Sequence, residues 1–315
     1  MADLKQKFGR VAVVMGGISA EREISLQSGN AVLTALQSLG VDAYGVDLTP
    51  DSLHEFMAER FDRVFVMLHG RWGEDGLVQG FLDTLGMPYT GSGVMGCAIA
   101  MDKIRSKQIF QSVGIPTADF RVADNTDELT EIADTLGLPL FMKPSREGSS
   151  VGVGKVNTHS ELAPVWQRTQ RFGDEVVIEK FIAGDELTVA ILDGKALPVI
   201  RMTPANEFYD FDAKYKSSET RYECPADIPP ALEKQLKSIA ESAFAALGCE
   251  TWGRVDIMLT ADGEPQVLEV NTVPGMTETS LVPRAAAATG LDFPALCLKV
   301  LSKTLETRST GGSHV

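Results

Sequence analysis

Residues 252–271, WGRVDIMLTADGEPQVLEVN, decide the fold, because they predict two adjacent strands joined by a short turn. Successive side chains of a strand point to opposite faces, so Arg254 and Asp256 share one face of the first strand. Glu269 and Asn271 share a face of the returning strand in the same way. The residues predicted to lie on the apolar face of the returning strand are Leu268 and Val270.

The Asp-Gly dipeptide in the middle of this segment predicts a two-residue type I′ turn. That turn would pair Asp256 with Glu269 and Arg254 with Asn271. Facing carboxylates destabilise a sheet unless a cation lies between them, and oxygen ligands suit Mg²⁺. The alternative is a solvated hairpin face whose acids pair with Arg254 or with water. The Gly/Pro loop of residues 271–277 can offer backbone N–H groups to an anion, which favours the metal site.

The 315 residues are enough for two or three packed units. Residues 1–100 open with a β-α-β pattern and predict a parallel α/β unit, in which ligands bind at the carboxyl ends of the strands. Residues 101–184 predict a central unit and residues 185–305 a largely antiparallel one, so the fold class combines α/β and α+β. Residues 205–221 are predicted to form a lid, and the tail 306–315 is expected to be disordered.

Composition excludes several classes of function. The net charge of −14, from 29 basic and 43 acidic residues, disfavours binding to a nucleic acid backbone. No apolar stretch is long enough for a membrane span, and the N-terminus lacks the features of a secretory signal, so we expect a cytoplasmic protein. The four cysteines are widely spaced and are expected to be packing residues rather than a zinc or disulfide framework.

A glycine-rich segment, residues 143–154 (KPSREGSSVGVG), follows a predicted strand. Glycines let backbone amides approach phosphates closely, and Lys143 supplies positive charge. The segment is not a P-loop, because the chain has no Gly-x-x-x-x-Gly-Lys-Ser/Thr motif. An ordinary flexible hairpin explains the segment equally well.

A Gly-x-Gly-x-x-Gly match at residues 91–96 (GSGVMG) raises a second hypothesis, an NAD-dependent oxidoreductase. Its context is poor, because only residues 88–90 precede it in place of a clear strand. The opening β-α-β unit carries no such motif either. We therefore interpret residues 91–96 as a turn that starts a helix.

Several separated motifs together resemble the D-alanine:D-alanine ligase family of the ATP-grasp superfamily. They are MGGISAERE, KPSREGSSVGVGKV, GRVDIML and VLEVNTVPGMT, and the resemblance extends from Val11 to Leu301. It implies a three-domain ATP-grasp fold in which ATP lies between the sheets of the second and third units.

The resemblance also implies roles for individual residues. Those implied to contact ATP are Lys103 and Lys143 at the phosphates, Glu179, Lys180 and Ile182 at the adenine, Glu186 at the ribose and Lys214 at the transferred phosphate. Those implied to bind two Mg²⁺ (or Mn²⁺) ions are Asp256, Glu269 and Asn271. Those implied to bind the amino acids and to act in catalysis are Glu21, Ser149, Tyr215, Arg254, Gly275 and Ser280, and His69 completes the pocket.

The implied reaction is ATP-dependent joining of two D-alanine molecules for peptidoglycan. The first carboxylate takes the γ-phosphate, and the amine of the second molecule attacks the acyl phosphate. Relatives that form an ester with D-lactate tend to carry histidine in place of the lid tyrosine, so Tyr215 favours the amine substrate. A D-alanine:D-lactate ligase and a non-catalytic nucleotide-binding module remain alternatives. The family resemblance also implies a homodimer formed through the first unit.

Overall fold

The computed structural model describes residues 4–148, 151–173, 175–203 and 220–306. Within these ranges the chain forms one parallel and two antiparallel sheets. None of the described helices is long and apolar enough to cross a membrane. The predicted lid falls mostly outside the described ranges, as does the tail beyond residue 306.

The first sheet is parallel and confirms the predicted β-α-β opening. Its strands are β1 (Arg10–Met15), β2 (Asp42–Asp47) and β3 (Arg63–Val66), and the helices of this part are α1 (Leu4–Phe8), α2 (Arg22–Ser38), α3 (Leu53–Ala58), α4 (Leu77–Thr84) and α5 (Val94–Met101). The strand order is β2-β1-β3, and the central β1 is almost entirely buried, as expected of a parallel strand covered on both faces. The loops after β1 and β3 therefore open at the same edge.

The second sheet is antiparallel. The elements of this part are α6 (Lys103–Ser112), β4 (Phe120–Ala123), α7 (Leu129–Leu136), β5 (Leu140–Pro144), β6 (Gly154–Val156), α8 (Leu162–Thr169) and β7 (Val176–Lys180). The strand order is β4-β7-β5-β6. Leu140 and Met142 of β5 lie in one core with Trp166 of α8. Because residues alternate along β5, Lys143 points to the other face of the sheet.

The third sheet is antiparallel, as predicted. The elements of this part are β8 (Gly184–Leu192), β9 (Lys195–Ala196), β10 (Ile200–Thr203), β11 (Arg221–Glu223), α9 (Pro230–Ala246), β12 (Trp252–Thr260) and β13 (Pro265–Asn271), followed by α10 (Leu281–Ala287) and α11 (Phe293–Ser302). The strand order is β11-β10-β8-β12-β13, and β9 pairs with β8. Leu236 and Phe244 of α9 share a core with Val255 and Ile257 of β12. Helix α9 thus covers one face of this sheet, whereas Ala190 and Trp252 of the other face lie in the core of the first sheet.

The predicted type I′ turn at Asp262-Gly263 is wrong, although the pairing derived from it is confirmed. Thr260 pairs with Glu264 and the N–H of Gly263 donates to the carbonyl of Thr260, so the loop has three residues. A β-bulge between Asp256 and Ile257 then shifts the register by one position, and Asp256 pairs with Glu269 as predicted.

The core of the first sheet extends to the end of the chain. Val273 and Met276, together with Val282 of α10 and Leu296 of α11, lie in the same buried cluster as Val11 of β1. The last helices therefore pack on the first unit. The three domain boundaries remain a prediction.

Candidate active site

A cavity of about 360 Å³ opens where the loops after β1 and β3 meet the hairpin β12–β13 and the loop that follows it. Several residues that the sequence analysis assigned to ATP, metal or substrate line it. They are Glu21, His69, Lys103, Arg254, Glu269, Asn271, Gly275 and Ser280. The fold thus brings together residues from four separate segments of the chain.

Asp256 lies behind this lining and organises it. The Arg254 guanidinium donates to both carboxylate oxygens of Asp256, at 2.8 and 2.7 Å. The Asn271 amide donates to Asp256 at 3.0 Å and the Thr188 hydroxyl at 2.6 Å. Asp256 is only 4% exposed, so these bonds hold Arg254 and Asn271 at the edge of the cavity.

Glu269 faces the cavity and forms an ion pair with Lys103, with 3.6 Å between the ammonium and the carboxylate. Lys103 is the first residue of α6, and Asp102 caps that helix by accepting two of its backbone N–H groups. The Lys103 ammonium also donates to the carbonyl of Glu147, at 2.7 Å. Lys103 therefore joins the glycine-rich segment to the carboxylate hairpin.

Glu21 immediately precedes α2, yet its carboxylate makes no capping hydrogen bond to that helix. It is 9% exposed and lines the cavity, which argues against the simple role of a helix-start acid. His69 follows β3 and is 5% exposed. Burial lowers the pKa of the His69 imidazole, and the charge of Glu21 opposes that shift.

Glu74 also lines the cavity, although the sequence analysis missed it. Its carboxylate accepts from the N–H groups of Gly70, at 2.8 Å, and Val273, at 3.2 Å. Burial and the charge of Glu21 raise the pKa of Glu74 to about 8. The signal that could have found it is the segment HGRWGEDG, residues 69–76, in which glycines and acids directly follow a strand.

Lys143 and Glu179 form a second charged cluster, outside the lining of the cavity. Glu179 is 3% exposed, and its two carboxylate oxygens pair with Lys143 and with Lys107, the latter at 3.1 Å. Burial alone would raise the pKa of Glu179, but the two lysines lower it to about 2. Burial would likewise lower the pKa of Lys143, but Glu179, Glu269 and Glu186 raise it. Lys143 of the second sheet thus interacts with carboxylates of the third.

Two family models match the chain, the C-terminal part of D-Ala D-Ala ligase over residues 109–302 and its N-terminal part over residues 51–92. The chain belongs to the D-alanine–D-alanine ligase family. The D-alanine–D-alanine ligase of Aromatoleum aromaticum is 52% identical over 94% of this chain and 96% of its own length. That of Laribacter hongkongensis is 51% identical over 95% of this chain and 97% of its own length.

Solved structures of D-alanine–D-alanine ligases and related ligases share the fold. The crystal structure of the Bacillus anthracis D-alanine–D-alanine ligase complexed with ATP has a TM-score of 0.85 and 38% identity, over 96% of this chain and 99% of that chain. A D-Ala:D-Ser ligase of Enterococcus faecalis has a TM-score of 0.83 and 29% identity, over 94% and 99%. The resemblance and the fold class derived from the motifs are confirmed.

Membership of this ligase family leaves little support for the oxidoreductase hypothesis. Gly93 precedes α5, so residues 91–96 are the helix-start turn that we predicted. Only an isolated bridge at Tyr89 precedes that turn in place of a strand.

Some of the predicted site residues lie outside the described part of the chain or away from the cavity. Ser149, Lys214 and Tyr215 lie outside the described residues. Lys180 is exposed, whereas Ile182 and Glu186 are partly buried, and all three lie outside the lining of the cavity. The roles of these six residues, like those of the predicted site residues that line the cavity, remain predictions.

Proposed function

We propose that this chain joins two D-alanine molecules in an ATP-dependent reaction that proceeds through an acyl phosphate. The observation that carries the proposal is the cavity itself, in which Glu21, Arg254 and Ser280 stand beside Lys103 and Glu269. Groups that can bind an amino acid therefore adjoin groups that can bind phosphates. Family membership supports the same reaction.

The amino-acid end of the cavity has the charges that two zwitterions require. The Glu21 carboxylate can bind the ammonium of the first D-alanine, and the Ser280 hydroxyl can donate to the carboxylate of the second. The Arg254 guanidinium is held in place by Asp256, so it can stabilise the developing oxyanion with little reorganisation. The Gly275 N–H would be a second donor to the same oxygen.

The phosphate end of the cavity has lysines already oriented by carboxylates. Lys103 pairs with Glu269 and Lys143 with Glu179, so both ammonium groups are close to the two sheets between which we place ATP. Phosphoryl transfer depends mainly on positioning and on neutralising charge, which fixed lysines provide.

The hairpin chemistry fits Mg²⁺ at Glu269 and at the side-chain oxygen of Asn271, which both line the cavity. Asp256 pairs with Glu269 but lies behind the lining, so it would join the ligand set by giving up one of the hydrogen bonds that it accepts. No group of three or more His, Cys, Asp or Glu side chains among the described residues is arranged to hold a metal. The Asn271 amide and the phosphates of ATP would therefore complete the ligand set. When bound, the ions would offset phosphate charge.

The test is to incubate the purified chain with ATP, Mg²⁺ and D-alanine and to measure ADP, phosphate and dipeptide. We expect ADP release that depends on D-alanine and matches dipeptide formation. ATP turnover that requires D-lactate as the second substrate would instead support the depsipeptide alternative. ATP binding without turnover would support a non-catalytic module, and NAD binding without ATP binding would overturn the proposal.

We also propose that the chain forms a homodimer, as expected of the family. Light scattering would test this by measuring the molar mass in solution.

A further inference from the structure

Lys107 is a fully buried lysine that the proposed reaction does not use. It lies one turn after Lys103 in α6 and is 1% exposed. Its ammonium donates to the Thr117 hydroxyl at 2.7 Å and to the Ala118 carbonyl at 3.3 Å, and it pairs with Glu179 at 3.1 Å. Buried lysines are rare because desolvation opposes their charge, so this one calls for a reason.

The Glu179 carboxylate is shared between an inner and an outer lysine. Lys107 is the inner partner, whereas the Lys143 side chain is 17% exposed and pairs with the other carboxylate oxygen. Glu179 therefore has two cationic partners, and the charges of Glu269 and Glu186 act on the outer one as well. Lys143 is the partner that a ligand between the second and third sheets can reach.

A buried carboxylate that loses its only cationic partner is an unpaired buried charge, which is strongly unfavourable. If Glu179 were paired with Lys143 alone, moving Lys143 to a phosphate would leave the Glu179 charge unpaired. Lys107 removes this cost, because it stays beside Glu179 whichever anion Lys143 contacts.

We propose that Lys107 is a positioning residue for nucleotide binding, which keeps Glu179 paired while Lys143 moves from that carboxylate to a phosphate. The inference rests on the proposed function, in which Lys143 contacts ATP. It assigns to Lys107 an effect on ATP binding and none on D-alanine binding.

The test compares Lys107→Met with the unmodified protein by calorimetric titration with ATP and by steady-state kinetics. We expect ATP binding and the KM for ATP to weaken by about tenfold or more, and the KM for D-alanine to change by less than about twofold. Lys237→Met is the matched control, because it removes one positive charge from a partly exposed pair with Glu233 on α9. It should bind ATP normally.

A second comparison separates positioning from packing. Once Glu179 is replaced by Gln, Lys107 and Lys143 no longer share a carboxylate, so Glu179→Gln and the double variant Lys107→Met/Glu179→Gln should bind ATP equally. A packing role predicts that Lys107→Met weakens binding in both backgrounds, which would overturn the inference. This comparison still applies if Lys107→Met alone fails to fold. Failure of the unmodified protein to bind ATP would overturn the proposed function as well, whereas normal binding with an unchanged Lys107→Met would overturn the inference only.

Discussion

Glu269 and Asp256 face each other across the hairpin, but neutralising them should have different effects on stability. The Glu269 side chain is 26% exposed and pairs with Lys103 at 3.6 Å, so Glu269→Gln should cost less than about 1 kcal/mol of unfolding free energy. The Asp256 side chain is 5% exposed and makes two hydrogen bonds to an Arg254 side chain that is 15% exposed. Asp256→Asn would remove the buried anion from both of these hydrogen bonds, at a cost of about 3 kcal/mol or more.

Both substitutions remove the negative charge of a proposed metal ligand, so both should lower kcat by at least about a hundredfold. Urea unfolding measures the stability of each variant, and an ADP-release assay with D-alanine measures activity under conditions in which the variant is folded. Equal losses of stability would refute the distinction between the two carboxylates. An active Glu269→Gln variant would refute the metal assignment.

Three further predictions concern pH, packing and thiol reactivity. Between about pH 4.5 and 8, Glu74 keeps its proton in the folded state but loses it in the unfolded chain. The free energy of unfolding should therefore fall by up to about 5 kcal/mol as the pH rises through that range. Glu74→Gln should flatten this dependence in urea unfolding curves, and an unchanged slope would exclude Glu74 as its source. Val267 is fully buried, whereas Leu268 is only partly buried. Val267→Ala should therefore lower the free energy of unfolding by about 2 kcal/mol, and Leu268→Ala should lower it clearly less. The reverse order would contradict the bulge. In the native protein a thiol reagent should quickly label no cysteine other than Cys224, because the other three cysteines are buried. In urea it should label all four. Fast native labelling of more than one cysteine would contradict that burial.

Local patterns predicted most elements of this fold because each strand or helix has a face that must be buried. The recurrence of Leu232, Leu236 and Ala243 predicts the helix that the structure shows as Pro230–Ala246. The packing of α10 and α11 on the first sheet was not predictable in the same way. That contact joins the two ends of the chain, and periodicity gives no information on which apolar faces meet.

The candidate site was predicted less evenly than the fold. Residues in the motifs, such as Glu21 and Arg254, line one cavity in the structure, and their roles stay predictions. Glu74 and Lys107 were missed because their importance depends on burial and on partners far along the chain. Nothing in the sequence around Lys107 indicates that its side chain contacts Glu179 and not water.

The hairpin shows how a correct pairing can follow from an incorrect turn. The loop has one residue more than the predicted turn, which alone would place Glu269 opposite Val255 and direct it towards the apolar face. The bulge adds one unpaired residue to β13 and restores the pairing with Asp256. The two irregularities compensate, so a count of residues between Asp256 and Glu269 cannot detect either of them. Their separate effect is on packing, because Val267 and not Leu268 enters the core beside Ile257. The bulge therefore lets one strand direct its valines to α9 and its carboxylate and amide to the cavity.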